Sequence, residues 1–252
     1  MKAISKTCGL LMVLALLLAV PAQADHFLKQ VTDTEAFEMM GQSSPATSDT
    51  AEAWLTDDRA VIMMGGGQTM IIRNDEKKVY FLDHSKKVYM ESPLGADWLF
   101  GGEVADMTAE EKAQMEAMAQ AMGGSMKATV TPTEETKKIG EWNTKKYLVD
   151  ISMPMGSAKT QSWVTNDIEI NYDVYNWLAQ GMMSMMPGFE EVAKEMKKLQ
   201  GVAVEGVSEV QAMGAVMKST MKLLEYKEGD APDELFDVPE GYTKQKGMGM
   251  GR

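Results

Sequence analysis

Hydrophobic and polar residues alternate along residues 77–93, KKVYFLDHSKKVYMESP, in which the tetrapeptide KKVY occurs twice. In the first arm Val79 and Phe81 point to one side, and the residues that alternate with them point to the other. A period of two is typical of a β-strand whose faces differ. Between the arms, residues 83–85 (Asp-His-Ser) favour a turn. The stretch therefore predicts a β-hairpin.

The segments on both sides of this hairpin alternate in the same way. Apolar arms separated by polar turns predict an antiparallel meander over residues 50–91. A second group of strands is predicted after it, and in its last member Met217 and Met221 alternate with lysine and threonine. The later strands are expected at 126–131, 145–153, 159–165, 201–211 and 215–226.

A helical period interrupts the strands after Pro93. Thr108 and Glu111 form a capping box, T-x-x-E, which is typical of a helix N-terminus. The helix predicted from this box carries methionines on one face, because they are spaced three and four residues apart. These methionines are Met115, Met118 and Met122, and the apolar residues Trp98 and Phe100 precede the helix.

A second helical insertion is predicted over about 173–199. Its first half, 177–186, is apolar nearly all round, so it demands burial on most sides. Pro187 breaks the helix, and residues 190–198 continue as an amphipathic segment. We expect the first half to form a movable roof over an apolar cavity. The ligand would contact Trp177, Met182, Met183, Met185 and Met186.

Residues 1–24 have the pattern of a secretory signal peptide. A lysine-bearing start precedes an apolar segment at 9–20, and an Ala-Gln-Ala cleavage pattern follows. Cleavage after Ala24 would make Asp25 the first residue and place the protein in the periplasm. Because spanning a bilayer takes ~20 apolar residues, we expect no stable membrane insertion after cleavage.

The rest of the chain suits a single folded domain at 25–243, followed by a tail at 244–252 that we expect to be disordered. The only cysteine, Cys8, lies in the predicted signal peptide. The cleaved protein would therefore have no disulfide, no thiolate catalysis and no cysteine metal site. The formal net charge of −12 at pH 7 disfavours nucleic acid and anionic membranes as partners.

Three stretches resemble the periplasmic lipoprotein-carrier (LolA-like) superfamily. They are the hairpin region 71–93, SWVTNDIEI at 162–170 and DELFDVPEGY at 233–242. The chain looks most similar to a bacterial envelope family of unknown function within that superfamily. The resemblance implies an α+β fold, with an unclosed, strongly curved antiparallel β-sheet (a half-barrel) and helices covering its concave face. In the carriers that face holds lipid or acyl chains.

No catalytic constellation is recognisable in the sequence. After cleavage the histidines are His26 and His84, and His84 falls in a predicted turn. Nucleophile-elbow, phosphate-loop and zinc-protease motifs are absent from the sequence. Paired carboxylates such as those at 110–111 are typical of a solvated helix start. We therefore expect a protein that is not an enzyme and requires no cofactor.

The 25 methionines are the unusual feature of the composition, and three interpretations of them stay open. Methionine fills irregular cores well because it is unbranched and polarizable. It also suits an adaptable lining for an apolar ligand or partner. Thioethers bind Cu(I), so a third interpretation is a metal site. Such a site would use Met115, Met118 and Met122, with His26 as an additional ligand near the processed N-terminus.

These patterns together predict a periplasmic, non-enzymatic binding protein with an apolar cavity. Its partner would be a lipid, an acyl chain or a lipid-modified protein. The alternatives are a copper-binding envelope protein and a structural or regulatory envelope module, and the oligomeric state is left open. The residues predicted to line the cavity are Trp98, Phe100, Met115, Met118, Met122, Trp177, Met182, Met183, Met185, Met186, Met217 and Met221.

Overall fold

The structure is a computed structural model, and it describes residues 25–39, 41–94, 108, 110, 126–153, 156–170, 190–212 and 214–245. Fourteen strands occur in these ranges. They are β1 (Asp25–Thr34), β2 (Phe37–Met39), β3 (Gln42–Ser44), β4 (Thr47–Leu55), β5 (Arg59–Met64), β6 (Gln68–Arg73), β7 (Lys78–Asp83), β8 (Val88–Pro93), β9 (Lys127–Ile139), β10 (Trp142–Met153), β11 (Gly156–Thr165), β12 (Val202–Ala212), β13 (Ala215–Gly229) and β14 (Thr243–Lys244).

Twelve of these strands form one open sheet with the order β14-β8-β7-β6-β5-β4-β1-β13-β12-β11-β10-β9. The predicted α+β class with helices covering a concave face is wrong for the described residues, which are nearly all strand. Their one α-helix is α1 (Glu190–Met196), with seven residues. Helical periodicity is a local property, and it does not determine how much of a fold is helix. Most of the two predicted helices, including all of 173–189, lies outside the described residues.

The predicted meander and hairpin are confirmed. Strands β4 to β8 pair with their neighbours in chain order and antiparallel. In the hairpin, Phe81 pairs with Met90 and Leu82 pairs with Tyr89. The turn ends at Lys87, whose φ of 51° lies in the left-handed region. Alternation and turn chemistry were sufficient here because these partners are close in sequence.

The meander is apolar on both faces of the sheet. Neighbouring residues of a strand point to opposite faces, so Ala60 and Val61 belong to different clusters. One face, named here the Leu28 face, carries the largest buried cluster. The other, named the Phe236 face, carries a second buried cluster. The Leu28 face includes Leu28, Leu55, Ala60, Met70, Ile72, Val79 and Leu223, and the Phe236 face includes Val61, Ile71, Leu82 and Phe236.

Residues 231–242 of the C-terminal segment cover the Phe236 face of the meander. A 3₁₀ helix, Asp233–Phe236, places the Phe236 side chain in the cluster with no exposed surface. The Arg59 guanidinium lies 4.5 Å from the centre of the Phe236 ring. Arg73 donates to the Phe236 carbonyl at 3.3 Å and pairs with Asp237 at 3.0 Å. The segment thus closes one apolar face of the sheet.

Helix α1 packs at the opposite end of the sheet, against the cluster formed by β9, β10 and β11. Met196 and Leu199 contact this cluster, which includes Val130 and Tyr147. The Glu195 carboxylate accepts a hydrogen bond from the Val130 N–H at 3.2 Å. This bond satisfies a backbone donor on β9, which is an edge strand.

Candidate functional site

An apolar pocket of about 280 Å³ lies at the β14 end of the sheet, where β5, β6, β7 and β8 meet the tail. Its apolar side chains are Met64, Phe81, Val88 and Met90. Leu82 and Tyr89 also border it, although their side chains belong to the cluster of the Phe236 face. The polar residues around it are Gln68, Thr69, Asp83, Lys86 and Gln245.

Strand register explains why these side chains meet. Phe81 pairs with Met70 on one side and with Met90 on the other, so the three form a row across the sheet. A second row runs from Met64 through Gln68 and Asp83 to Val88. Paired residues on neighbouring strands share a face, so both rows belong to the Leu28 face. The pocket therefore adjoins the buried cluster of that face.

The mouth of the pocket carries an ion pair. Lys86 Nζ donates to Asp83 Oδ2 at 2.7 Å. This hydrogen bond, together with one from the Ser85 hydroxyl, holds the pKa of Asp83 well below its ordinary value. Asp83 is therefore a carboxylate at any physiological pH, and it is paired with a cation. The pocket thus combines an apolar interior with a zwitterionic rim.

His84 joins the hairpin turn to the C-terminal segment. Its Nε2 lies 2.8 Å from the Thr69 hydroxyl, and its Nδ1 lies 2.5 Å from the Tyr242 hydroxyl. The His84 and Tyr242 rings also make an edge-to-face contact with centroids 5.7 Å apart. His84 therefore links the turn, β6 and the C-terminal segment, and it lies in a turn, as predicted.

His26 lies on the Leu28 face and is 7% exposed. Its Nδ1 is 3.0 Å from the Tyr226 hydroxyl, which donates to Glu228 at 2.8 Å. Because that hydroxyl gives its proton to Glu228, the His26 nitrogen is the donor to Tyr226. Burial lowers the pKa of His26, and nearby carboxylates, Glu228 first, oppose this effect. His26 is thus a neutral, hydrogen-bonded residue of the fold.

Most of the residues predicted to line a cavity lie outside the described residues. These are Trp98, Phe100, Met115, Met118, Met122, Trp177, Met182, Met183, Met185 and Met186. The structure places Met217 and Met221 on β13, opposite Val210 and Gly206 of β12. They share the face of Leu223, but the pocket lies several strands away. Their role in binding stays a prediction.

Met64, Phe81 and Met90 are not predicted as site residues by the sequence patterns. The signal was present in the hairpin, because alternation placed Phe81 on the face of Val79 and closure of the turn opposes it to Met90. The contribution of β5 to the pocket could not be predicted from alternation. Met64 ends a strand before three glycines, and only the register of β5 with β6 brings it beside Gln68.

In the described part of the chain, no group of three or more histidine, cysteine and carboxylate residues is arranged to hold a metal ion. Across the same residues, no helix combines the length and the apolar character needed to cross a bilayer. Of the predicted tail, the structure describes Lys244, which belongs to β14, and Gln245, whose N–H donates to the Tyr89 carbonyl of β8.

No protein-family model matches this chain, and no curated protein matches it. Among solved structures 26 chains match, and one of them is MucB, crystallised in complex with MucA(peri). MucB is 9% identical to this chain with a TM-score of 0.29, and the match covers 82% of this chain and 53% of MucB. The chain thus spans about half of the length of that protein.

Proposed function

We propose that this chain is a periplasmic, non-enzymatic binding protein that holds an acyl chain, either of a free lipid or of a lipid-modified protein. The observation that carries the proposal is the pocket bounded by Met64, Phe81, Val88 and Met90. The signal-peptide pattern of residues 1–24 supports the location. The three stretches that resemble the lipoprotein carriers support the class of ligand.

The chemistry of the pocket suits a hydrocarbon with a polar end. Met64 and Met90 contribute flexible thioether side chains, which adapt to an apolar guest better than branched side chains do. Phe81 provides a flat apolar wall between them. The volume of about 280 Å³ lies near the lower limit for small-molecule pockets, so it would take one end of a chain. Asp83 and Lys86 at the mouth would face the polar end.

Native mass spectrometry of the protein purified from the periplasm tests the class of ligand. A mass increase equal to an acyl lipid supports the proposal. An increase equal to copper would favour the methionine metal site instead. A mass with neither increase would leave the role of a structural or regulatory module.

A fluorescent fatty acid tests the pocket itself. Met64 and Met39 offer a matched pair, because each is 37% exposed and only Met64 lines the pocket. Met64→Glu would place a charge in the apolar wall, so we expect probe affinity to fall about tenfold or more, which corresponds to ~1.4 kcal/mol. Met39→Glu should leave probe affinity unchanged. Equal affinities in the two variants and the unaltered protein would rule out this pocket as the acyl site.

A further inference from the structure

Within the described residues, the outer edge of β8 is only partly covered. β8 comprises Val88–Pro93, but β14 pairs with only the first two of these residues. The Thr243 N–H donates to the Lys87 carbonyl at 3.0 Å, and the Gln245 N–H donates to the Tyr89 carbonyl at 2.8 Å. The rest of this edge of β8 lies beyond the pairing with β14. Open strand edges accept extended segments through backbone hydrogen bonds.

The segment that occupies this edge buries little side-chain surface. Thr243, Lys244 and Gln245 are all exposed. Upstream, the contact between Tyr242 and His84 holds the segment near the hairpin turn. Since apolar burial is the main source of association energy, these three residues are attached weakly. A peptide that makes the same backbone bonds and buries more apolar surface can replace them.

A carboxylate beside this edge selects for positive charge. Glu91 binds Lys244 at 2.9 Å and Lys78 at 3.3 Å. These hydrogen bonds, that of Lys244 first, lower the pKa of Glu91. Lys244 lies at the register position of Tyr89 and so points to the Phe236 face with Glu91. A basic residue at this position of an added strand would be recognised by charge.

The next position of the added strand faces the pocket. Gln245 follows Lys244, so it points to the opposite face of the sheet, and it forms part of the pocket wall beside Met90 and Phe81. A polar amide is a poor match for that apolar wall. An apolar residue at the same place would enter the pocket and bury more surface.

The other edge of the sheet is protected against such pairing. In β9, Pro132 has no N–H to offer. The Val130 N–H is already bonded to the Glu195 carboxylate of α1 at 3.2 Å. The ladder between β9 and β10 also shifts register between Lys145 and Tyr147. Such irregularities make an edge strand less able to pair with another strand. β8 also ends in a proline, Pro93, but before it the outer edge offers free-standing backbone groups only as far as Glu91, and no described helix bonds to them. Of the two edges, β8 is therefore the one better suited to an added strand.

We propose that the outer edge of β8 is a docking site for an extended peptide that displaces Thr243–Gln245 and runs parallel to β8. The peptide carries a basic residue that binds Glu91, followed directly by an apolar residue that enters the pocket. The proposal shares the pocket with the proposed function and rests on it only for the apolar position. The edge and Glu91 are independent of acyl binding, so either idea can fail alone.

Fluorescence anisotropy with three labelled peptides tests this docking. GYTKQKG repeats residues 241–247, GYTKLKG replaces the glutamine with leucine, and GYTELKG also replaces the lysine with glutamate. The full-length variant Lys244→Glu repels its own tail from Glu91, so it should bind GYTKLKG at least tenfold more tightly than the unaltered protein. Lys138→Glu, an equal charge change at an exposed lysine of β9, should bind it like the unaltered protein.

Peptide selectivity provides the second readout. Lys244→Glu should bind GYTKLKG several-fold more tightly than GYTKQKG, and more tightly than GYTELKG. Adding Glu91→Lys should reverse the preference between the lysine and glutamate peptides, and the milder Glu91→Gln should abolish it. Equal binding of all three peptides, or equal behaviour of the Lys244 and Lys138 variants, would overturn the docking site. If acyl-probe binding persists in that case, the proposed function stands without it.

Discussion

Phe236 is predicted to be the anchor that keeps the C-terminal segment on the sheet. The perturbation is Phe236→Ala. The side chain has no exposed surface and packs among Val61, Ile71 and Leu82. Truncating a buried phenylalanine to alanine typically costs ~3–5 kcal/mol. The lost contact with the Arg59 guanidinium, which is 4.5 Å from the ring centre, is included in that range.

Urea denaturation followed by tryptophan fluorescence measures this loss. We expect the free energy of unfolding to fall by ~3–5 kcal/mol, with a decrease in Tm of roughly 6–20 °C. Phe236→Leu keeps most of the buried volume and should cost clearly less. Glu234→Ala, at an exposed position of the same 3₁₀ helix, should change the free energy of unfolding by no more than ~0.5 kcal/mol.

Two results would refute this reasoning. One is a loss below ~1 kcal/mol for Phe236→Ala, since a buried ring cannot be removed so cheaply from a packed cluster. The other is detachment of the C-terminal segment without unfolding of the sheet. If amides of residues 231–245 exchange faster while those of β6 keep their protection, the segment is an independent flap and does not stabilise the sheet.

Three further predictions concern pH, close packing and processing. The pKa of His26 is below its ordinary value of 6.5 in the folded state, so the unfolded chain binds the proton first as the pH falls. The free energy of unfolding should therefore decrease as the pH drops below ~6.5. His26→Gln should flatten that decrease in urea titrations at several pH values. Gly156→Ala should destabilise the protein severely in thermal melts, since a Cβ there would lie 1.9 Å from the Gln211 carbonyl oxygen, whereas Gly229→Ala has nothing within 4 Å and should be neutral. Mass analysis of the exported protein should find Asp25 at the N-terminus, and a membrane-retained product that still begins with Met1 would contradict the predicted cleavage.

The sequence alone was sufficient for the local parts of this fold. The strands of the meander and the hairpin at 77–93 follow from period-two alternation and from turn residues, and their partners are neighbours along the chain. The amphipathic segment after Pro187 also contains the described helix, Glu190–Met196. In these places the signal and the structure it specifies lie within a few residues of each other.

Only the tertiary structure shows how the distant segments join. β1 pairs with both β4 and β13, so Phe27 lies between Trp54 and Lys227, although their sequence separations differ greatly. Phe236 and Gln245 are likewise far along the chain from the meander residues beside which they lie. A local period states which side of a strand is apolar. Which apolar sides meet depends on the total surface that the whole chain can bury, because hydrophobic attraction has no direction and no sequence range of its own.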